Sequence, residues 1–87
     1  MAWRVEIKSS AVGEISRLPR RDQRRVISAI ETLAENPRPR GARKLVGGEE
    51  AYRIRVGDYR VVYQIADDVL IVFVVRVGHR RDIYRRR

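Results

Sequence analysis

The sequence predicts a small α+β domain with a helical hairpin packed on one face of a mostly antiparallel sheet. Three observations carry this. Between Ser9 and Glu35 apolar residues recur at helical spacing. From Tyr52 onward they alternate with polar and charged residues at the period of two expected of a half-buried strand. A stretch rich in Pro, Gly and Arg separates the two halves. Helices segregated from strands in the order β-α-α-β-β-β mark an α+β layout rather than an alternating parallel one. No repeat or long linker divides residues 1–87, which are expected to form one domain.

Each element has a local reason. Trp3, Val5 and Ile7 alternate with Arg4, Glu6 and Lys8 in a first strand. Ser9 or Ser10 can cap a short helix that stripes Ala11, Ile15 and Leu18 and ends at Pro19. A second helix, from about Arg21 to Glu35, stripes Val26, Ile27, Ile30, Leu33 and Ala34 and stops at Asn36-Pro37. Asn36 to Ala51 reads as a loop punctuated by Pro37, Pro39, Gly41, Gly47 and Gly48. Strands follow at Tyr52–Val56, Tyr59–Ala66 and Val69–Val77, with Asp67-Asp68 turning the last two and Gly78 ending the third. Val69 to Val75 is apolar on both faces, as in an interior strand. Arg85-Arg86-Arg87 form a basic tail.

The segment richest in information is the hairpin Tyr52–Tyr63. Gly57-Asp58 suits a two-residue type II′ turn, which sets Val56 opposite Tyr59 and Arg55 opposite Arg60. Arg53, Arg55 and Arg60 then share one face. Like charges facing each other destabilise a sheet, so this placement points to a bound anion, and a phosphate chain matches the fork of a guanidinium best. Composition agrees. The net charge is +9, and of the 20 basic residues all but Lys8 and Lys44 are Arg. An excess of this kind points to nucleic acid, an acidic protein partner, or both. The chain has no cysteine, which excludes disulfides and thiolate metal sites and fits a reducing cytoplasm. One His, no Cys and a tight-turn Asp67-Asp68 make no ligand set, so neither metal nor cofactor is expected. No apolar run approaches the roughly 18 residues of a membrane span, and the first residues lead into an alternating strand rather than a signal peptide.

Taken together, Ala42-Arg-Lys-Leu45, Tyr52-Arg-Ile-Arg-Val-Gly-Asp-Tyr-Arg-Val-Val-Tyr63 and Val75-Arg-Val-Gly-His-Arg-Arg-Asp-Ile-Tyr84, with Glu35-Asn-Pro-Arg38, resemble the RelE/ParE superfamily of bacterial toxin–antitoxin toxins, the RelE-like branch most closely. The resemblance spans essentially the whole chain. It implies the small RelE-like β-α-α-β-β-β fold and one of two activities: ribosome-dependent cleavage of mRNA that inhibits translation, or ParE-like, non-enzymatic inhibition of DNA gyrase. An inactive RNA-binding relative is the third alternative. The RelE-like pattern places catalytic residues at Arg53, Arg55, Arg60, Arg80 and Tyr84. Two departures stand out. The best-known ribosome-dependent member has Lys at the positions of Arg53 and Arg55, and a further Lys at that of His79.

Cleavage of this type uses the ribose 2′-hydroxyl as nucleophile. Arg53, Arg55, Arg60 and Arg80 can clamp phosphate oxygens and stabilise the developing charge. Arg stays protonated and is no ordinary base, which leaves His79 and Tyr84 for proton transfer. Arg43, Lys44, Arg53, Arg55 and Arg81 are the expected RNA contacts. The resemblance further implies a cognate acidic antitoxin that folds over the basic surface, and contact with operator DNA only through the toxin–antitoxin complex.

Overall fold

The computed structural model describes residues 3–45 and 51–81. Gly47, Gly48, Tyr84 and the tail Arg85–Arg87, named above, lie outside the described residues. The elements are β1 (Arg4–Ile7), α1 (Ser9–Ser16), α2 (Arg20–Leu33), β2 (Arg43–Lys44), β3 (Ala51–Val56), β4 (Tyr59–Ala66) and β5 (Ile71–His79). The five strands form one sheet in the order β1-β5-β4-β3-β2. Only β1 and β5 run parallel. That parallel pair is possible because the helical hairpin carries the chain back across one face of the sheet.

The core lies between that face and the helices. Ala11 and Ile15 of α1 and Val26, Ile30 and Leu33 of α2 meet Ile54, Val61, Tyr63, Ile65, Val72, Val74 and Val77. The predicted stripes are therefore the buried ones, apart from Leu18, which is partly buried against the core, and Ile27, which stays exposed. The hairpin has the expected register, with Arg55 opposite Arg60 and Val56 opposite Tyr59. Gly57 has φ +62° and Asp58 does not adopt a positive φ, as a type II′ turn demands.

The structure corrects five expectations about element ends. The predicted loop contains β2, which pairs with β3 through Arg43–Arg53 and Lys44–Tyr52. Two charged residues carry no strand pattern of their own, and the edge of β3 supplies the order. Helix α1 begins at Ser9 with Lys8 at its N-cap and no side-chain cap, so neither serine caps it. Pro19 starts α2, at its N-cap, rather than ending α1. The β4–β5 turn is longer than two residues, with Leu70 at φ +57°, and β5 passes through Gly78 to His79.

The most consequential feature of the sheet is a bulge. Tyr63 pairs with Val74 but Val62 pairs with Arg76, which leaves Val75 as an extra residue in β5. The bulge inverts the alternation. Val72 and Val74 point into the core, and so does Val77, while Arg76 and Gly78 move to the open face. Among the described residues no helix is long and apolar enough to cross a membrane.

Candidate nucleic-acid interface

The open face is built from two cross-strand rows. Reading across the sheet, the first is Arg43, Arg53, Val62, Arg76 and the second is Arg55, Arg60, Gly78. Arg60 is the central residue. It sits on the middle strand with Arg55 on one side and a glycine, which has no side chain, on the other. Its Nε and Nη1 are buried and have no hydrogen-bond partner among the described residues. A buried donor without an acceptor costs roughly 1–3 kcal/mol, and more when charged. Arginine cannot escape that cost by losing its proton. The arrangement therefore favours an anion on this face.

The edges of the face are organised by two carboxylates. Asp58, in the hairpin turn, accepts the Arg80 amide on its carbonyl at 2.8 Å, and its carboxylate lies 3.8 Å from Arg80 Nε. This ties Arg80, just past β5, to the turn that leads into Arg60. On the other side Glu14 of α1 accepts the amide of Val77 at 2.7 Å and pairs with Arg76 Nε at 3.4 Å. Glu14 thus closes the part of the β5 edge that short β1 leaves open, and fixes the strand just beyond the bulge.

The sequence-predicted residues separate into groups. Arg43, Arg53, Arg55 and Arg60 share the open face, and Arg80 borders it through Asp58. Lys44 does not join them, because it pairs with Tyr52 and falls on the helix side. His79 does not join them either. It pairs with Tyr59 on the helix side, and the two rings meet edge-on at 5.8 Å. Its Nδ1 accepts the Arg81 amide at 3.1 Å, so a neutral His79 carries its proton on Nε2 and offers no lone pair there. The bulge sets this side, so the structure does not bring His79 to the arginine face. Arg81 is exposed at the same end. Tyr84 lies outside the described residues. Arg76, Gly78 and Glu14 were missed as parts of this surface; the doublet Val74-Val75 was the one signal that strict alternation fails there.

Tyr59 is held in place on the helix side. Its hydroxyl donates to Asp22 at 3.3 Å, and burial, reinforced by Asp22, pushes its phenol above the ordinary value. No group of three or more His, Cys, Asp or Glu among the described residues could hold a metal ion. The face can bind and polarise phosphate by charge. Among the described residues its positions Arg43, Arg53, Arg55, Arg60 and Arg76 hold no side chain that works as an ordinary base.

The sequence model of the ParE toxin of type II toxin–antitoxin systems, parDE, matches residues 5–84. This chain belongs to the RelE/ParE superfamily of toxins. It is 31% identical to the putative toxin RelE1 of Methanocaldococcus jannaschii over 98% of both chains. It is 32% identical to the mRNA interferase toxin RelE of Escherichia coli, over 92% of this chain and 85% of the relative. The archaeal RelE–RelB complex from Pyrococcus horikoshii contains a chain that superposes with a TM-score of 0.83 at 30% identity, covering 94% of this chain and 99% of its own. The predicted fold class is the one these toxins share.

Proposed function

We propose that this protein is the toxin of a toxin–antitoxin pair and cleaves mRNA on the ribosome. The single observation that carries the reading is Arg60, a cation with two buried, unpaired donors at the centre of an arginine array. The relative named mRNA interferase supports it. In the reaction the 2′-oxygen attacks the adjacent phosphorus and loses its proton, the P–O5′ bond breaks, and the 5′-oxygen takes up a proton. The products are a 2′,3′-cyclic phosphate and a 5′-hydroxyl. Arg60 holds the non-bridging oxygens, where negative charge grows in the transition state. Arg53, Arg55 and Arg80 hold the neighbouring phosphates, and Arg43 and Arg81 extend the contact. Tyr84 is the remaining candidate for proton transfer. A face rich in fixed charge and poor in bases leans on orientation of the substrate, which the ribosome provides. That accounts for ribosome dependence and fits a cytoplasmic protein. A cognate antitoxin, acidic enough to cover the arginines, is the partner, and operator DNA is met through that complex alone.

A second reading, inhibition of gyrase without chemistry, is favoured by one observation: no ordinary base stands beside Arg60 among the described face residues. The deciding experiment incubates a defined mRNA with antitoxin-free protein, with and without programmed ribosomes. Cleavage confined to the ribosome, with cyclic phosphate ends and lost in Arg60→Ala, supports the enzyme. Intact RNA together with arrested supercoiling by gyrase supports the alternative.

A further inference from the structure

The sheet ends on one side at β1, which pairs with β5 alone. The Arg4 and Lys8 amides donate to the carbonyls of Leu70 and Val74, toward β5. Backbone groups alternate in direction along a strand, so those of Val5 and Ile7 face away from the sheet. Proteins usually blunt such an edge with proline, a bulge or charge of one sign. β1 contains no proline, and its register with β5 runs unbroken from Arg4–Ile71 to Ile7–Val74. Its two charged residues, Arg4 and Glu6, are of opposite sign and both exposed.

The other side chains of this segment line a groove. Trp3, Val5 and Ile7 form one wall, and Ile27, Ile30 and Ala34, along and just past α2, form the other. Glu31 is the one charged residue among the lining side chains. Ile27, which α2 leaves exposed, opens into this groove. Apolar surface and outward-facing backbone therefore meet at the same margin of the sheet.

We propose that this edge is the interface of a homodimer, in which β1 of two copies pairs antiparallel about a two-fold axis at Val5. The strand is self-complementary in that register. Arg4 of each copy lies opposite Glu6 of the other, Val5 opposite Val5, and Trp3 opposite Ile7. Moving the axis by one residue either way sets Arg4 against Arg4 or Glu6 against Glu6, and like charges directly opposite destabilise a sheet. The hydrogen-bond phase agrees. An axis at Val5 makes the two Val5 residues a hydrogen-bonded pair, and Val5 is a residue whose backbone groups face outward. Trp3 of each copy stands beside Ile7 of the other, along the groove, as an aromatic–β-branched pair that stabilises adjoining strands. The axis is perpendicular to the sheet, so the two sheets become one. Both helical layers lie on one side of it, and both arginine faces stay open on the other. A four-residue edge with a groove is a small interface, so the association is reversible and roughly micromolar or weaker. It does not depend on the cleavage reading.

The test is sedimentation of the full antitoxin-free chain across concentration, at an ionic strength where the Debye length is about 8 Å and repulsion between two basic copies is largely screened. The parent is expected to pass from monomer to dimer as concentration rises toward the millimolar range. Arg4→Glu and Glu6→Arg, each alone, set like charges opposite each other on both sides of the axis. Each should raise the dissociation constant about tenfold or more. The double variant Arg4→Glu, Glu6→Arg restores opposite charges and should dimerise as the parent does. Both side chains are exposed, so all three variants should melt close to the parent. Amide exchange at Val5 and Ile7 should slow as the parent dimerises. A parent that stays monomeric at millimolar concentration overturns the inference. So does a dimer that neither single reversal weakens, or one that the double variant fails to restore. Protection of Val5 and Ile7 that appears only with antitoxin bound also overturns it, and assigns this edge to that partner.

Discussion

Arg38 and Arg60 are the same residue put to opposite uses. Arg38, in the loop after α2, donates from Nη1 and Nη2 to both oxygens of Asp67 at 3.2 and 2.9 Å and from Nε to the Tyr52 hydroxyl at 3.1 Å. The guanidinium also lies 5.3 Å from the centre of the Tyr52 ring, and that ring stacks on Tyr63. These bonds tie the helix exit to the β4–β5 turn. Arg60, on the middle strand, has two buried donors with no acceptor among the described residues. Where arginine is structural in this fold the chain supplies a carboxylate and a phenol. At Arg60 it supplies neither, which is what the proposed phosphate contact needs.

Replacing each arginine tests that contrast most directly. Arg60→Ala is expected to lower ribosome-dependent cleavage by about 10²- to 10³-fold, the range for removing one donor to a developing oxyanion. Its melting temperature should hold or rise, because two unsatisfied buried donors leave with the side chain. Arg38→Ala should do the reverse, lowering the melting temperature and sparing the rate at saturating ribosomes. An Arg60→Ala protein that melts well below the parent would make Arg60 a structural residue and erase the distinction.

Much of this contrast was legible in the sequence. The turn at Gly57-Asp58 sets the register of the hairpin, so three arginines fall on one face before any coordinates are known. Other parts could not be read. Alternation past Val75 fails because of the bulge, so the sides of Arg76, Gly78 and His79 come out wrong from the pattern alone. The bulge is held by the amide of Val77 on Glu14, a contact 63 residues apart in the chain. β2 has no pattern because its order comes from the edge of β3. That Nε and Nη1 of Arg60 are buried while Arg55 is exposed depends on position in the sheet, and local sequence is silent on it.

The clamp end can be sharpened further at Tyr63. This side chain is fully buried and donates to the Pro37 carbonyl at 2.7 Å. Tyr63→Phe leaves that carbonyl without its donor and should cost about 1–2 kcal/mol in denaturant unfolding, with cleavage unchanged. Burial also pushes the Tyr63 phenol up to about 12 from 10.0. The unfolded chain therefore ionises first as pH rises. The contribution is intact below pH 10 and is lost on the way to 12, a loss that Tyr63→Phe should abolish. At the neighbouring turn, Leu70 at φ +57° is strained and nearly half exposed. Leu70→Asn, which tolerates that conformation, should stabilise by up to about 1 kcal/mol.

The smallest expected effect is at Asp67, and its pH dependence makes it informative. The hydrogen bonds from Arg38 hold the Asp67 carboxyl below its ordinary value, while those bonds raise Arg38 beyond any pH of interest. Both side chains are substantially exposed, at 41% and 56%, so solvent screens the pair and the gain is small. A carboxyl whose folded value is depressed adds stability above its unfolded value and loses it as pH falls through the folded one. Asp67→Asn should therefore melt slightly below the parent at neutral pH, and the two curves should converge in acid, below the usual carboxylate range. High salt should narrow the gap at neutral pH too. A gap that persists in acid would mean that the geometry of the Arg38–Tyr52 packing, rather than charge, holds this end together. The contrast with Arg60 would then be one of packing against binding.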